Sequence, residues 1–384
     1  MEVVVKDWWL YQGEGNRADR RRRLADLPAP PWRDFNGTPD PGYTPPDCRG
    51  SAWERTVERG EGYVPEELES DIVNTALYLR RPLLITGKPG VGKSTLADSI
   101  AVNLELGPVL RWPITSRTAL RDGLYLYDAI GRLQEANLDH LRPRGARTAA
   151  NSAPQSAADV PSDAVPGTAP VRGDLLTGNP TPPAAADAIG RYLRLGPLGT
   201  ALLPQDRPRV LLIDEIDKSD IDLPGDLLTL FEDGGFEIPE LARLAQDKQS
   251  VSIATDDAPD ALVEIESGRV QCRHFPIVVL TSNGERDFPP AFLRRCVRLH
   301  LEPPGPEKLA RIIRQRLDVD VTQPDKDEYR QLMQEFIDRS ADGDLATDQL
   351  LNAIQLRMSR AWAGAEDRDR FLSTVMQHLT GPLA

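Results

Sequence analysis

The segment Gly87-Lys88-Pro89-Gly90-Val91-Gly92-Lys93-Ser94 constrains the fold more than any other stretch of this 384-residue chain. It matches G-x-x-x-x-G-K-[ST] at every fixed position, follows an apolar run (Leu83 to Thr86) and precedes a helical pattern carrying Leu96, Ile100 and Leu104. Strand, glycine-rich turn and helix in that order read as a phosphate-binding loop. Glycines let backbone N–H groups curl round an anion, and the N-terminus of the following helix favours its negative charge. Lys93 is then placed to reach the β- and γ-phosphates of a nucleoside triphosphate and Ser94 to ligate Mg2+, with Thr95 closing the loop.

A second signal is Val210-Leu211-Leu212-Ile213-Asp214-Glu215, an apolar run that ends in two adjacent carboxylates. Neighbouring side chains on a strand diverge, so the two acids should have different tasks. Asp214 suits the Mg2+ shell, and Glu215 suits orienting and deprotonating an attacking water. Further apolar runs at Val109 to Ile114, Ile277 to Thr281 and Val297 to Leu301, separated by helical patterns, predict buried parallel strands of an α/β sheet. Glu66 to Leu79 predicts an amphipathic helix with Leu68, Ile72, Ala76 and Leu79 on its buried face. After Pro303-Pro304-Gly305-Pro306 the pattern is purely helical and predicts a small all-α domain over 305–384.

The 34 prolines fall into two contrasting clusters. Seven lie between Pro28 and Pro46 among Trp32, Phe35 and Tyr43, with Trp8, Trp9 and Trp53 on either side, which predicts an N-terminal arm (1–54) packed through its aromatic rings. By contrast, residues 143–188 hold 8 prolines and 12 alanines and no aromatic residue, the composition of a flexible insertion in the α/β domain (55–304). A net charge of −13 disfavours nucleic acid as the default partner, although a local basic face is still allowed. Arg20 to Arg23 reads as a solvated helix face or an intramolecular partner. No apolar run is long enough to span a membrane and the N-terminus lacks the pattern of a signal peptide, so a cytoplasmic protein is expected. Cys48, Cys272 and Cys296 read as semi-buried thiols, and His140, His274, His300 and His378 have no metal-ligand spacing.

Together, Gly87 to Ser94, Leu212 to Asp217, Thr281-Ser282-Asn283 and Pro290-Ala291-Phe292-Leu293-Arg294-Arg295-Cys296 resemble the Walker A, Walker B, sensor 1 and arginine-finger elements of AAA+ ATPases, over roughly residues 60 to 380. Within that family the chain is most similar to the MoxR branch. The resemblance implies an αβα sandwich with a five-stranded parallel sheet, an insertion in the second helix, a hairpin before sensor 1 and a helical lid. Ser116 to Leu133 and Tyr192 to Leu203 would bracket the insertion, and Val251 to Thr255 with Val263 to Glu266 would form the hairpin. Asn283 would position the water, and Arg295, with Arg294 as the alternative, would reach the nucleotide of a neighbouring subunit. The base would sit between Gly62-Tyr63-Val64 and the lid. One element departs from the family pattern: Asp344 stands where a basic sensor-2 residue is common, which leaves Arg357 or another cation to substitute, or no sensor 2 at all.

The resemblance implies ATP hydrolysis with Mg2+ in a homo-oligomeric ring, expected to be a hexamer, acting as a chaperone on a separate protein partner, by analogy one of von Willebrand factor A type. The N-terminal layout also resembles bacterial defence-associated versions of such ATPases. Two alternatives stay open: a nucleic-acid translocating NTPase motor using ATP or GTP, and a nucleotide-dependent switch with low turnover.

Overall fold

Alternate residues of a strand face opposite sides of its sheet, so a strand that is apolar at every position must be covered on both faces. The structure, a computed structural model, describes residues 6–12, 16–141, 189–244, 250–342, 345–359 and 374–376. Five strands form one all-parallel sheet, β1 (Leu83–Gly87), β2 (Leu110–Pro113), β5 (Val210–Asp214), β10 (Ile277–Ser282) and β11 (Val297–Leu301), in the order β11-β1-β10-β5-β2, with the near-continuously apolar β1, β10 and β5 at its centre. Leu84, Leu211, Ile213 and Leu280 enter the core on one side. Their neighbours Leu83, Ile85, Val210, Leu212 and Val279 enter a second core on the other. The result is an α/β fold in which helices flank a five-stranded parallel sheet.

The second core is roofed by α3 (Glu67–Leu79) and α4 (Lys93–Leu104), with α1 (Arg17–Ala25) and α2 (Gly50–Gly60) packed on α4. The buried face of α3 differs from the expected one. Leu68 is 64% exposed and Ile72 and Leu79 are half-buried, whereas Glu69, Ser70, Val73, Asn74, Ala76 and Leu77 face inward. The face is rotated because polar side chains have buried partners there. Asn74 Oδ1 accepts the N–H groups of Leu10 (2.6 Å) and Tyr11 (2.9 Å), and its Nδ2 donates to the carbonyls of Tyr11 (2.7 Å) and Ser70 (2.8 Å). One amide therefore satisfies the backbone of a strip whose Trp9, Leu10 and Tyr11 are fully enclosed.

The rest of the arm crosses to the other face. The Arg33 guanidinium donates to the Phe231 carbonyl and lies over the Phe275 ring, 4.8 Å from its centroid. Gly37 donates to the Cys272 carbonyl at 3.2 Å, and a Cβ at residue 37 would collide with the Gln271 carbonyl, so only glycine permits this approach. Burial of the arm's rings is uneven: Tyr43 is buried, but Trp32 is 64% exposed and Trp8 is also exposed. The expected boundary between residues 54 and 55 falls inside α2. Of the cysteines, Cys272 and Cys296 are buried rather than semi-buried, and burial pushes both thiols up to about 12. Of Arg20 to Arg23, expected to form a solvated helix face or an intramolecular partner, Arg20 is buried.

The segments on either side of residues 142–188 are joined by strand pairing. After α5 (Leu120–Leu124), β3 (Tyr125–Tyr127) pairs antiparallel with β4 (Leu193–Leu195). Between them lies α6 (Ala129–Leu141), and β4 is followed by α7 (Pro197–Ala201). Beyond α8 (Leu223–Asp233), β6 (Gly235–Glu237) and α9 (Pro239–Ala242) come β7 (Ser250–Ala254) and β8 (Leu262–Glu266), an antiparallel hairpin. Because β4 also pairs with β7 at Arg194 and Ala254, a four-stranded sheet of order β3-β4-β7-β8 results. The 143–188 segment itself lies outside the described residues.

After β9 (Arg269–Gln271), which pairs with β6, and α10 (Pro290–Leu293) come α11 (Pro306–Leu317), α12 (Asp327–Asp342) and α13 (Thr347–Met358). These close a separate core around Leu309, Ile313, Phe336, Leu350 and Ile354. Among the described residues no helix is long and apolar enough to cross a membrane.

Candidate functional site

In open parallel sheets the loops at the carboxyl ends of the strands form the natural crevice. Here β10 lies between β1 and β5, so the ends of these three strands bring Gly87, Asp214 and Ser282 side by side. Above them is a cleft of about 640 Å3, walled on the opposite side by α11 and α13. Of the residues singled out from sequence, Tyr63, Val64, Pro89, Gly90, Val91, Gly92, Lys93, Ser94, Thr95, Asp214, Glu215 and Asn283 all line it. Gly87 and Lys88 lie just behind the lining, where their carbonyls accept hydrogen bonds from Lys93 Nζ at 2.7 and 2.8 Å. Gly87, Gly90 and Gly92 all have positive φ, a conformation that few other residues would tolerate.

The floor is a connected polar network. Ser94 Oγ donates to Asp214 Oδ1 at 2.8 Å. Thr281 Oγ1 donates to the same oxygen at 2.5 Å and accepts the Glu215 N–H at 2.9 Å. Glu215 has left-handed backbone angles (φ 61, ψ 48), a conformation costing about 1–3 kcal/mol for a residue with a side chain, which the Thr281 bond helps to hold. Its carboxylate pairs with Lys218 Nζ at 2.7 Å, and that hydrogen bond raises the Lys218 ammonium above its ordinary value. Burial pushes Lys93 below its ordinary value, opposed by the nearby carboxylates of Asp217, Asp214 and Glu215.

Two residues in this network have no counterpart among those chosen from sequence. Thr281 orients both acids at the end of β5. Asp217, which is buried, accepts the N–H groups of Asn283 (2.8 Å) and Glu285 (3.1 Å) through Oδ2 and so fixes the turn that presents Asn283. Both lie within the motifs Leu212 to Asp217 and Thr281 to Asn283, but only the packing of β5 against β10 reveals their partners.

The opposite wall carries two cations from α11. Lys308 is buried, pairs with Glu69 and lies 3.4 Å from Glu66, while Tyr63 OH donates to the other oxygen of Glu69 at 2.8 Å. Burial and the charge of Glu69 hold the Tyr63 phenol well above its ordinary value, so it stays a neutral donor. Arg316 donates to the carbonyls of Glu58 and Arg59 at the end of α2, where the helix dipole favours a cation. The start of α13 lies against the loop: Thr347 N–H is 3.4 Å from the Gly90 carbonyl, and a Cβ at residue 90 would collide with Ala346.

The remaining expected roles are distributed differently. Arg357 pairs with Glu328 and does not line the cleft. Asp344 lies outside the described residues. Arg294 and Arg295 sit away from their own chain's cleft, in the turn between α10 and β11, where Arg295 pairs with Glu232 and Arg81 donates to the Arg294 carbonyl at 3.4 Å. Among the described residues no cluster of His, Cys, Asp or Glu has the makings of a soft-metal site. The Ser94 hydroxyl and Asp214 carboxylate instead offer hard oxygen donors suited to Mg2+. The chain matches neither the models of known protein families nor the curated proteins.

Proposed function

We propose that the chain is a Mg2+-dependent ATPase of AAA+ type, resembling the MoxR branch, that assembles into a ring and uses hydrolysis to remodel a partner protein. The observation that carries this reading is the convergence of Ser94 Oγ and Thr281 Oγ1 on Asp214 Oδ1, directly below the glycine loop that holds Lys93. In this reading the loop N–H groups hold the phosphates, and Lys93 exchanges its two carbonyl partners for phosphate oxygens. Mg2+ held by Ser94 and Asp214 would neutralise phosphate charge. Glu215 takes the proton of the attacking water after its carboxylate is released from Lys218, and Asn283 orients that water. The position of Arg294 and Arg295 outside their own cleft suits a contribution to a neighbouring copy's site, which would make turnover depend on assembly.

The test is steady-state phosphate release with ATP and GTP, with and without DNA. Turnover should rise more steeply than linearly with protein concentration and be indifferent to DNA. Arg295→Ala should keep nucleotide affinity, lose turnover and regain it when mixed with Lys93→Ala subunits. Strong stimulation by DNA would sink the protein-remodelling reading, and absence of hydrolysis in the assembled wild type would sink the ATPase reading.

A further inference from the structure

The end of the parallel sheet opposite the glycine loop carries a second pocket. Helix α1 packs over the loop that enters β5 and over the turn ahead of β10, leaving a cavity of about 260 Å3. Arg21, Arg22, Arg207 and His274 line it, together with a single carboxylate, Asp206. The Asp206 side chain is 80% exposed and takes a hydrogen bond from Arg273 at 2.7 Å, so it does not neutralise the cavity. Each arginine also faces one carboxylate from outside the cavity lining: Glu105 lies 3.8 Å from Arg21, Asp47 3.9 Å from Arg207, and Asp19 3.5 Å from Arg22. Arg207 Nη1 is enclosed and has no hydrogen-bond partner. A buried donor left in that condition is costly unless a ligand or water completes it.

Burial and neighbouring positive charge depress two of these groups. Arg207 is held below its ordinary value by burial and then by Arg21, and His274 by burial and then by Arg80 and Arg273. In a chain of net charge −13, three arginines gather round one cavity here. Leu24 and Pro208 supply an apolar wall beside the guanidiniums and continue into a small apolar cavity beneath α1.

We propose that this pocket binds a small phosphomonoester, its phosphate held by Arg21, Arg22 and Arg207 and its organic group lying against Leu24 and Pro208. A phosphate dianion matches the charge and the planar forks of three guanidiniums. The cavity is larger than a bare phosphate requires, and its apolar side calls for an organic substituent. The site is separate from the glycine loop and does not depend on the reading of that loop.

The experiment is calorimetric titration of the full-length Lys93→Ala protein, in which the glycine loop has lost its phosphate-binding lysine, with phenyl phosphate and in parallel with a phosphoserine peptide. Phenyl phosphate should bind with 1:1 stoichiometry, more weakly as salt is raised. Affinity should fall about tenfold or more when Arg207→Ala or Arg22→Ala is added. The Arg22 side chain is largely exposed, so Arg22→Ala keeps the test valid if loss of Arg207 disturbs the fold, as judged by thermal melting. Absence of saturable binding, an affinity unchanged by Arg22→Ala and Arg21→Ala, or binding of the peptide alone would each overturn the proposal.

Discussion

The two walls of the cleft are built on different physical plans. The sheet wall is a short-range network in which Ser94, Thr281, Asp214 and Glu215 lock one another through hydroxyls, a carboxylate and one strained backbone position. The lid wall touches the large domain through two long cations, Lys308 and Arg316, and through the close approach of Ala346 to Gly90. The first plan fixes atoms relative to each other, as the proposed phosphate chemistry would require. The second joins two bodies through a few replaceable contacts.

The contrast predicts that sheet-wall substitutions change turnover and lid-wall substitutions change stability. The largest effect is expected for Glu215→Gln, which should lower turnover by about 100-fold to 10,000-fold. Nucleotide affinity by calorimetry should stay near wild type. Next is the buried pair. Lys308→Met alone should cost about 3–5 kcal/mol in urea unfolding, because it strands the buried Glu69 carboxylate, and Glu69→Ala somewhat less, because Lys308 keeps Glu66 at 3.4 Å. Replacing both together with apolar residues should recover most of that loss; a double variant as unstable as either single one would break the comparison.

A smaller effect is expected at Thr281. Thr281→Val removes one hydroxyl that serves both acids and should lower turnover about tenfold with little change in melting temperature, and Thr281→Ser should restore it. Equal activity of the valine and serine forms would assign Thr281 to packing alone.

The smallest expected effect is a pH dependence of arm docking. Hydrogen bonds from Lys6 and Trp9 hold the Asp71 carboxyl below its ordinary 3.8, and Asp71 with Glu67 holds the Lys6 ammonium above its ordinary 10.5. A depressed acid stabilises above its unfolded value and loses that contribution as pH falls through the lower folded value. A raised amine stabilises below its unfolded value and loses it as pH rises through the higher folded one. Proteolysis of the N-terminal strip should therefore be slow across the neutral range and quicken at both extremes; Asp71→Asn should remove the acid limb.

The same contrast explains what could be read in advance. The sheet wall was legible because glycines at 87, 90 and 92 and adjacent acids at 214 and 215 occur in combinations that little else demands. The lid wall was not, because Lys308 and Glu69 stand 239 residues apart and each looks like any helix surface charge. The face of α3 was misread for a related reason: hydropathy selects Leu68, whereas burial was decided by what Asn74 and Glu69 bind. Strands β3 and β4 have three residues each, too short for periodicity to register, so the four-stranded sheet emerges only from their pairing. Asp344, the departure from the resembled pattern, lies outside the described residues, and the cations on the opposite wall of the cleft, Lys308 and Arg316, come from α11.

The route of the N-terminal arm also bears on how the chain reaches this fold. Leu10 meets Asn74 across 64 residues, but Arg33 meets Phe231 across 198, Tyr43 meets Asp257 across 214 and Asp40 meets Glu264 across 224. The arm thus leaves the ribosome well before the partners it binds, and such non-local contacts form slowly. Until the chain has been synthesised as far as Phe275, Phe35 lacks the ring it packs against, and until Asp257 is made the Tyr43 hydroxyl lacks its acceptor. The arm then acts as a closing strap across both faces of a domain that is already assembled.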